Sequence, residues 1–280
     1  MENQFKKTWF ITGASKGFGL LFIEQLLAKG DNVAATSRRL ADLEKAAGSH
    51  PNLLALEVNL TDEQSVKTAV DATISKFGKL DVVVNNAGYG LLGAVEELTD
   101  AESRQNFDVN VFGLINVIRQ ALPHLRAQGS GHIFNISSIG GFTGSFPGFG
   151  IYCATKFAVT GLTEALAAET KDFGIKATVV LPGYFRTNFL ESGSLAVPKN
   201  AIDAYASTRE SQKLHQEQIN GNQPGDLAKG VEEIIKAADT PVAPLYLFLG
   251  SDAVAMANDK LGIMKTEIDT WSSVSASTDF

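Results

Sequence analysis

The chain is poor in the residues that mark disulfide scaffolds, metal centres and nucleic-acid binders. Its single cysteine, Cys153, excludes an internal disulfide and any multi-cysteine metal site and fits a reducing compartment. Four histidines, His50, His124, His132 and His215, lack ligand spacing; they read as surface or strand-edge residues, and no metal is expected. Only 8 prolines occur among 280 residues, with no Pro/Ser-rich linker, repeat or low-complexity tract, so one domain over residues 1–280 is the expected count. No apolar run approaches the roughly 18 residues of a spanning helix. The start, Met1-Glu2-Asn3-Gln4, lacks the basic and apolar regions of a signal peptide, and the expected address is cytoplasmic. Positive charge is in deficit: 24 Lys and Arg face 31 Asp and Glu, for a net charge of -7. That balance repels phosphate backbones and anionic lipid, so neither a nucleic-acid nor a membrane partner is expected. It leaves room for a locally positive nucleotide pocket.

What is present is alternation. Short runs dense in Val, Ile, Leu and Phe lie at 8–12, 33–37, 53–58, 80–85, 132–136, 176–181 and 245–249. Such runs suit parallel strands buried on both faces. Amphipathic helical stretches lie between them. Thr61-Asp62-Glu63-Gln64 and Thr99-Asp100-Ala101-Glu102 match the capping-box pattern, and Gly30, Gly78 and Gly174 stand where helices should stop. The expected fold is α/β, a Rossmann-type doubly wound parallel sheet of about seven strands with helices on both faces. Residues 188–223 form a polar, helix-prone insertion before the last strand, and residues 272–280 a polar tail.

Directly after the first strand comes Thr12-Gly13-Ala14-Ser15-Lys16-Gly17-Phe18-Gly19. Glycines there let the backbone turn sharply and approach a pyrophosphate, on which the next helix aims its amide-rich N-terminus. The spacing is Gly-x-x-x-Gly-x-Gly, a variant that resembles the short-chain dehydrogenase/reductase family. The resemblance recurs in order along the chain, through Asn85-Asn86-Ala87-Gly88, Asp108-Val109-Asn110-Val111, Ile136-Ser137-Ser138, Tyr152-Cys153-Ala154-Thr155-Lys156 and Pro182-Gly183-Tyr184-Phe185-Arg186-Thr187. It implies an oxidoreductase that passes hydride between a nicotinamide and a carbonyl carbon. Asn110, Ser138, Tyr152 and Lys156 are its expected catalytic residues. Tyr152 and Lys156 lie four apart on a predicted helix and share a face. A lysine ammonium beside the phenol, together with oxidised nicotinamide, would lower the ordinary tyrosine pKa of about 10. The family places the catalytic serine second in its pair, hence Ser138, with Ser137 a strand-end turn residue. Asn110 is expected to hold water leading from Lys156.

The resemblance also implies the cofactor contacts: Gly13, Ser15, Lys16, Gly17, Phe18 and Gly19 in the turn, Asn86, Ala87 and Gly88 after the fourth strand, and Pro182, Gly183 and Thr187 at the nicotinamide end. Tyr152 and Lys156 belong to this set too. The second strand ends in Ser37-Arg38-Arg39, where NAD binding usually wants an acid for the ribose hydroxyls. Serine removes that acid and a guanidinium suits the 2′-phosphate of NADP(H); one of the two arginines is expected merely to face solvent. Asn59, followed by Leu60, stands where the family usually has an aspartate against the adenine. The expected activity is reversible, NADPH-dependent reduction of a ketone or aldehyde. Phe142, Phe146, Phe149, Phe185 and Phe189 cluster in segments that should line the substrate pocket. They fit a small hydrophobic or aryl carbonyl substrate, and a core role equally well. A homo-dimer or homo-tetramer is implied, packed through the helices carrying Asn110 and Tyr152. The rival readings are a silent NADP-binding regulator, against which Ser138, Tyr152 and Lys156 argue, and a scaffold, which needs no ordered cofactor motifs.

Overall fold

The computed structural model describes residues 6–190 and 193–280. All seven expected runs are strands: β1 (Thr8–Ile11), β2 (Asn32–Ser37), β3 (Leu53–Glu57), β4 (Val82–Asn85), β6 (Gly131–Ile136), β7 (Ile175–Pro182) and β9 (Tyr246–Leu249). They form one sheet in the order β3-β2-β1-β4-β6-β7-β9, parallel at every pairing. Side chains alternate across it. Trp9 and Ile11 pack with Phe22 and Leu26 of α1 (Gly17–Lys29) and Val231 and Ile234 of α8 (Leu227–Asp239). Phe10, between them, faces the opposite layer with Val66 and Val70 of α3 (Glu63–Phe77), Val117 of α5 (Gly113–Gln128) and Val159 of α6 (Gly150–Thr170). The chain winds outward from β1 to β3, then restarts at β4 on the other side of β1. The carboxyl ends of β1 and β4 therefore diverge into a crevice.

Caps end the helices where glycine allows it. Gly30 and Gly78 sit at φ 90° and 77°, closing α1 and α3, and Gly174 at φ 68° closes the turn after α6. Thr99 and Glu102 form the full capping box on α4 (Asp100–Phe107). At α3 the cap is Asp62, one residue beyond Thr61, because its carboxylate accepts from the Gln64 and Ser65 amides. Thr61 instead donates its amide and hydroxyl to Asn59 Oδ1. α4 runs into a wide π turn over Asp108–Phe112 before α5. α2 (Leu40–Ala47) crosses between β2 and β3.

The 188–223 insertion carries its own structure. A 3-10 turn over Asn188–Leu190 precedes the short strand β8 (Leu195–Ala196), which pairs in parallel with β5 (Gly90–Leu91). α7 (Ala206–Lys213) and a π turn over Leu214–Ile219 follow. The polar stretch from 272 continues α9 (Ser251–Ala276), because no proline interrupts it and Lys265–Asp269 pairs along the helix. Ala253 and Ala257 bury the base of α9, whereas Leu261, Met264, Ile268 and Trp271 are exposed. No described helix is long and apolar enough to cross a membrane.

Candidate active site

The crevice floor is backbone, for steric reasons. A Cβ on Gly13 would stand 2.8 Å from Ala87 Cα, and one on Gly19 would stand 2.5 Å from the Gly13 carbonyl. Gly13 and Gly17 also take φ of 65° and 58°, which side-chain-bearing residues rarely adopt. Ser15, Lys16 and Phe18 complete the turn, and the free amides of α1 open at Gly17. Thr12 Oγ1 accepts from the Asn86 and Ala87 amides, and Asn86 Nδ2 donates to the Thr12 and Gly13 carbonyls. The Asn-Asn-Ala-Gly turn is thus tied to the glycine turn, while Asn85 braces the sheet through Asn135 at 2.8 Å. A bare cradle at a helix N-terminus fits a dinucleotide pyrophosphate.

Beyond the carboxyl ends of β6 and β7 lies a cavity whose lining includes Ser138, Tyr152, Lys156, Asn86, Gly88, Pro182, Gly183 and Thr187. Tyr152 and Lys156 share one face of α6, and both are buried. Lys156 Nζ donates to the Ile136 carbonyl at 2.9 Å and stands 5.8 Å from the centre of the Tyr152 ring. Burial lowers the ammonium to about 8. Among protein groups alone, burial raises the Tyr152 phenol, against the lowering expected of the lysine; the Ser138 hydroxyl is what pulls it down. Ser138 Oγ accepts from the Gly140 amide, whereas Ser137 Oγ turns away and donates to the Lys156 carbonyl. Asn110, in the π turn, accepts from the Tyr89 amide and donates to the Tyr89 carbonyl and Thr155 Oγ1. A Cβ at Gly88 would lie 3.1 Å from Asn110 Oδ1 and 3.5 Å from Lys156 Nζ, so glycine keeps the space between them clear.

At the adenosine end, Ser37 is buried and Arg38 and Arg39 are exposed. Arg39 pairs with Asp42 at 2.5 Å and is the arginine that faces solvent. Arg38 has no ion pair among the described residues. Asn59 is exposed, with its amide oxygen engaged by Thr61. Leu60 is half-buried, its carbonyl accepting from Asn116. Lys16 donates to Ser194 Oγ at 2.5 Å, reaching into the insertion. At the other end Thr187 Oγ1 accepts from the Phe189 amide.

Four of the five clustered phenylalanines, Phe146, Phe149, Phe185 and Phe189, line the cavity. Phe142 packs edge-on to Phe248 beneath α9 and belongs to the core. Two histidines depart from the surface reading. His132 is buried with Nε2 2.9 Å from Thr178 Oγ1, and burial lowers its pKa to about 3. His215 is buried against the cavity, 3.0 Å from the Tyr184 hydroxyl. Sequence reasoning also missed Glu97. Its carboxylate, fully buried, accepts from the Ala94 and Ile202 amides at 2.7 Å and from Arg209 at 2.6 Å. These contacts fasten the insertion to the turn before α4. No group of three or more His, Cys, Asp or Glu among the described residues could hold a metal.

Residues 7–196 match the family model for the short chain dehydrogenase. A 3-ketodihydrosphingosine reductase of Bacteroides thetaiotaomicron is 36% identical over 257 residues, covering 90% of this chain and 93% of its own. A short-chain dehydrogenase from Streptomyces avermitilis superposes with a TM-score of 0.89 at 40% identity, covering 98% of this chain and all of its own. ElxO with NADP bound superposes with a TM-score of 0.73 at 28% identity, covering 89% of this chain and 99% of its own. With the family's turn, tyrosine and lysine gathered at one crevice, the chain belongs to the short-chain dehydrogenase family of oxidoreductases.

Proposed function

We propose that the protein reduces a ketone or aldehyde with NADPH, reversibly, in the cavity between β6 and the insertion. The observation that carries this reading is the convergence of Ser138, Tyr152 and Lys156 on one largely apolar cavity that also includes Asn86 and Gly88. The crevice glycines, the α1 amides, Asn86 and Thr187 would hold the dinucleotide, which when bound and reduced would supply the hydride. Ser138 Oγ donates to the substrate oxygen as negative charge develops there, an effect worth roughly 10²–10³ in rate for comparable donors. Tyr152 gives its proton to that oxygen and completes the alcohol; burial keeps the phenol protonated at neutral pH until then. Lys156, still an ammonium at pH 7, returns the proton, and water held near Asn110 and Gly88 resupplies it.

The preference for NADPH rests on Arg38, which has no ion pair among the described residues, and on Ser37, which puts no carboxylate there. The insertion is read as a lid, supported by the Lys16–Ser194 bond and the β5–β8 pairing. A homo-oligomer through the surfaces beside α5 and α6 is part of the reading, supported by the exposed rings of Phe112 and Phe157; sedimentation velocity tests it. The deciding experiment follows nicotinamide absorbance while the protein meets NADPH and a panel of ketones and aldehydes. Absence of oxidation across the panel would remove the reading.

A further inference from the structure

One polar cluster in the substrate cavity has no part in hydride or proton transfer. His215 Nδ1 lies 2.7 Å from the Ser211 carbonyl, which can only accept, so Nδ1 carries the proton. Burial holds the ring's pKa down, against the pull of that carbonyl, and the ring is neutral. Nε2 is then an acceptor, and at 3.0 Å the Tyr184 hydroxyl must donate to it. The tyrosine's only O–H is thereby spent, so at its oxygen this cavity-lining residue can offer a ligand lone pairs alone. Gln223, 2% exposed and lining the same cavity, holds a buried Oε1 with no donor among the described residues, but the same amide carries an Nε2 that can donate. The one cation in the lining, Lys156, is already bound to the Ile136 carbonyl, so no charged donor there answers the Tyr184 oxygen.

The cluster is set apart from the proton donor by aromatic surface. Phe149 stands 6.1 Å from the Tyr152 ring and 4.8 Å from the His215 ring, and Phe189 covers Tyr152 from 5.7 Å. A ligand with its carbonyl at Tyr152 and Ser138 must run past these rings before meeting Tyr184. An acceptor without a donor there is costly until a ligand brings an N–H or O–H, and the Tyr184 oxygen would repel a carboxylate or phosphate. We infer that Tyr184, held by His215 as an acceptor, selects carbonyl substrates carrying a hydroxyl or amine donor across an apolar spacer from the reacting carbon. The inference rests on the carbonyl-reductase reading and names the substrate class for it.

The test uses three aryl ketones that differ only at the remote position: hydroxyl, methyl ether and carboxylate. In the parent protein, kcat/KM for the hydroxy ketone exceeds that for the methyl ether by roughly ten- to a hundredfold, the cost of leaving such acceptors unmet, and the carboxylate is poorest. Tyr184→Phe keeps the ring and removes the acceptor, and the hydroxyl-to-ether ratio then falls at least threefold. Calorimetric Kd values for the same ligands give the ratio without turnover, and circular dichroism verifies the fold. Equal ratios in the parent, a parent ratio retained in Tyr184→Phe, or a preference for the carboxylate overturns the subsite. If no ketone is reduced at all, the reductase reading falls, and the Kd ratios decide the subsite alone.

Discussion

Replacing Glu97 by alanine should loosen the insertion far more than any exposed ion pair would suggest. Its carboxylate is fully shielded, whereas Arg209 retains 31% side-chain exposure. Removing it strands the Ala94 and Ile202 amides and leaves the guanidinium without its anion. Each stranded buried amide costs about 1–3 kcal/mol, and one-sided breaking of buried pairs costs about 3–5 kcal/mol. Water can still reach Arg209, so we expect about 3 kcal/mol, or a fall in melting temperature of about 6 °C or more for a chain this long. Glu97→Gln keeps the volume but turns an N–H towards a backbone N–H, and should cost somewhat less. Arg209→Met leaves both amide bonds in place and should cost least. The assay is thermal unfolding by circular dichroism, with timed proteolysis reporting on residues 193–223. A loss below about 1 kcal/mol in Glu97→Ala, with unchanged cleavage of that segment, would refute the argument. The pH dependence has a defined sign. Burial pushes the Glu97 carboxyl up, but the two amides and Arg209 outweigh it and hold it below the ordinary range. Its contribution is therefore full above about pH 4.3 and lost as pH falls through the lower folded value.

Tyr152→Phe should abolish carbonyl reduction and leave NADPH affinity within about threefold, measured by fluorescence titration, because only the hydroxyl transfers a proton. Ser37→Asp with Arg38→Leu should shift the ratio of kcat/KM for NADPH over NADH by roughly ten- to a hundredfold towards NADH, given about 1.5–3 kcal/mol for one charge-assisted phosphate contact; an unmoved ratio would acquit Arg38. Gly19→Ala should abolish dinucleotide binding in calorimetry, since its Cβ would stand 2.5 Å from the Gly13 carbonyl. Hydrogen exchange across residues 193–223 should slow when NADPH and an inhibitor bind, and equal protection in both states would dispose of the lid.

The sheet was readable because each of its strands is a local run dense in apolar residues, and the central strands are buried on both faces. The glycine turn was readable for a similar reason: Gly13, Gly17 and Gly19 lie within seven residues of one another and their constraint is local. What escaped depended on distance along the chain. Glu97 and Arg209 meet across 112 positions, and nothing in either neighbourhood announces the other. His215 sits in a polar stretch, Lys213 to Asn220, whose composition resembles a solvated helix. Its burial comes from Phe149 and Tyr184, on other elements. At Thr61-Asp62 the sequence offers two adjacent N-caps, and the choice fell to Asp62 because Asn59 captures Thr61.

The π turn at Asp108–Phe112 carries a consequence for chain length. It stows one surplus residue between α4 and α5, and one residue of helix corresponds to about 100° of rotation. Excising any residue there would regularise the coil while swinging Asn106 and Asn110 away from the Tyr89 carbonyl that both now reach. The segment should thus accept many exchanges of side chain at Val109 but no deletion, its residue count acting as a spacer that keeps two consecutive helices in phase with the crevice.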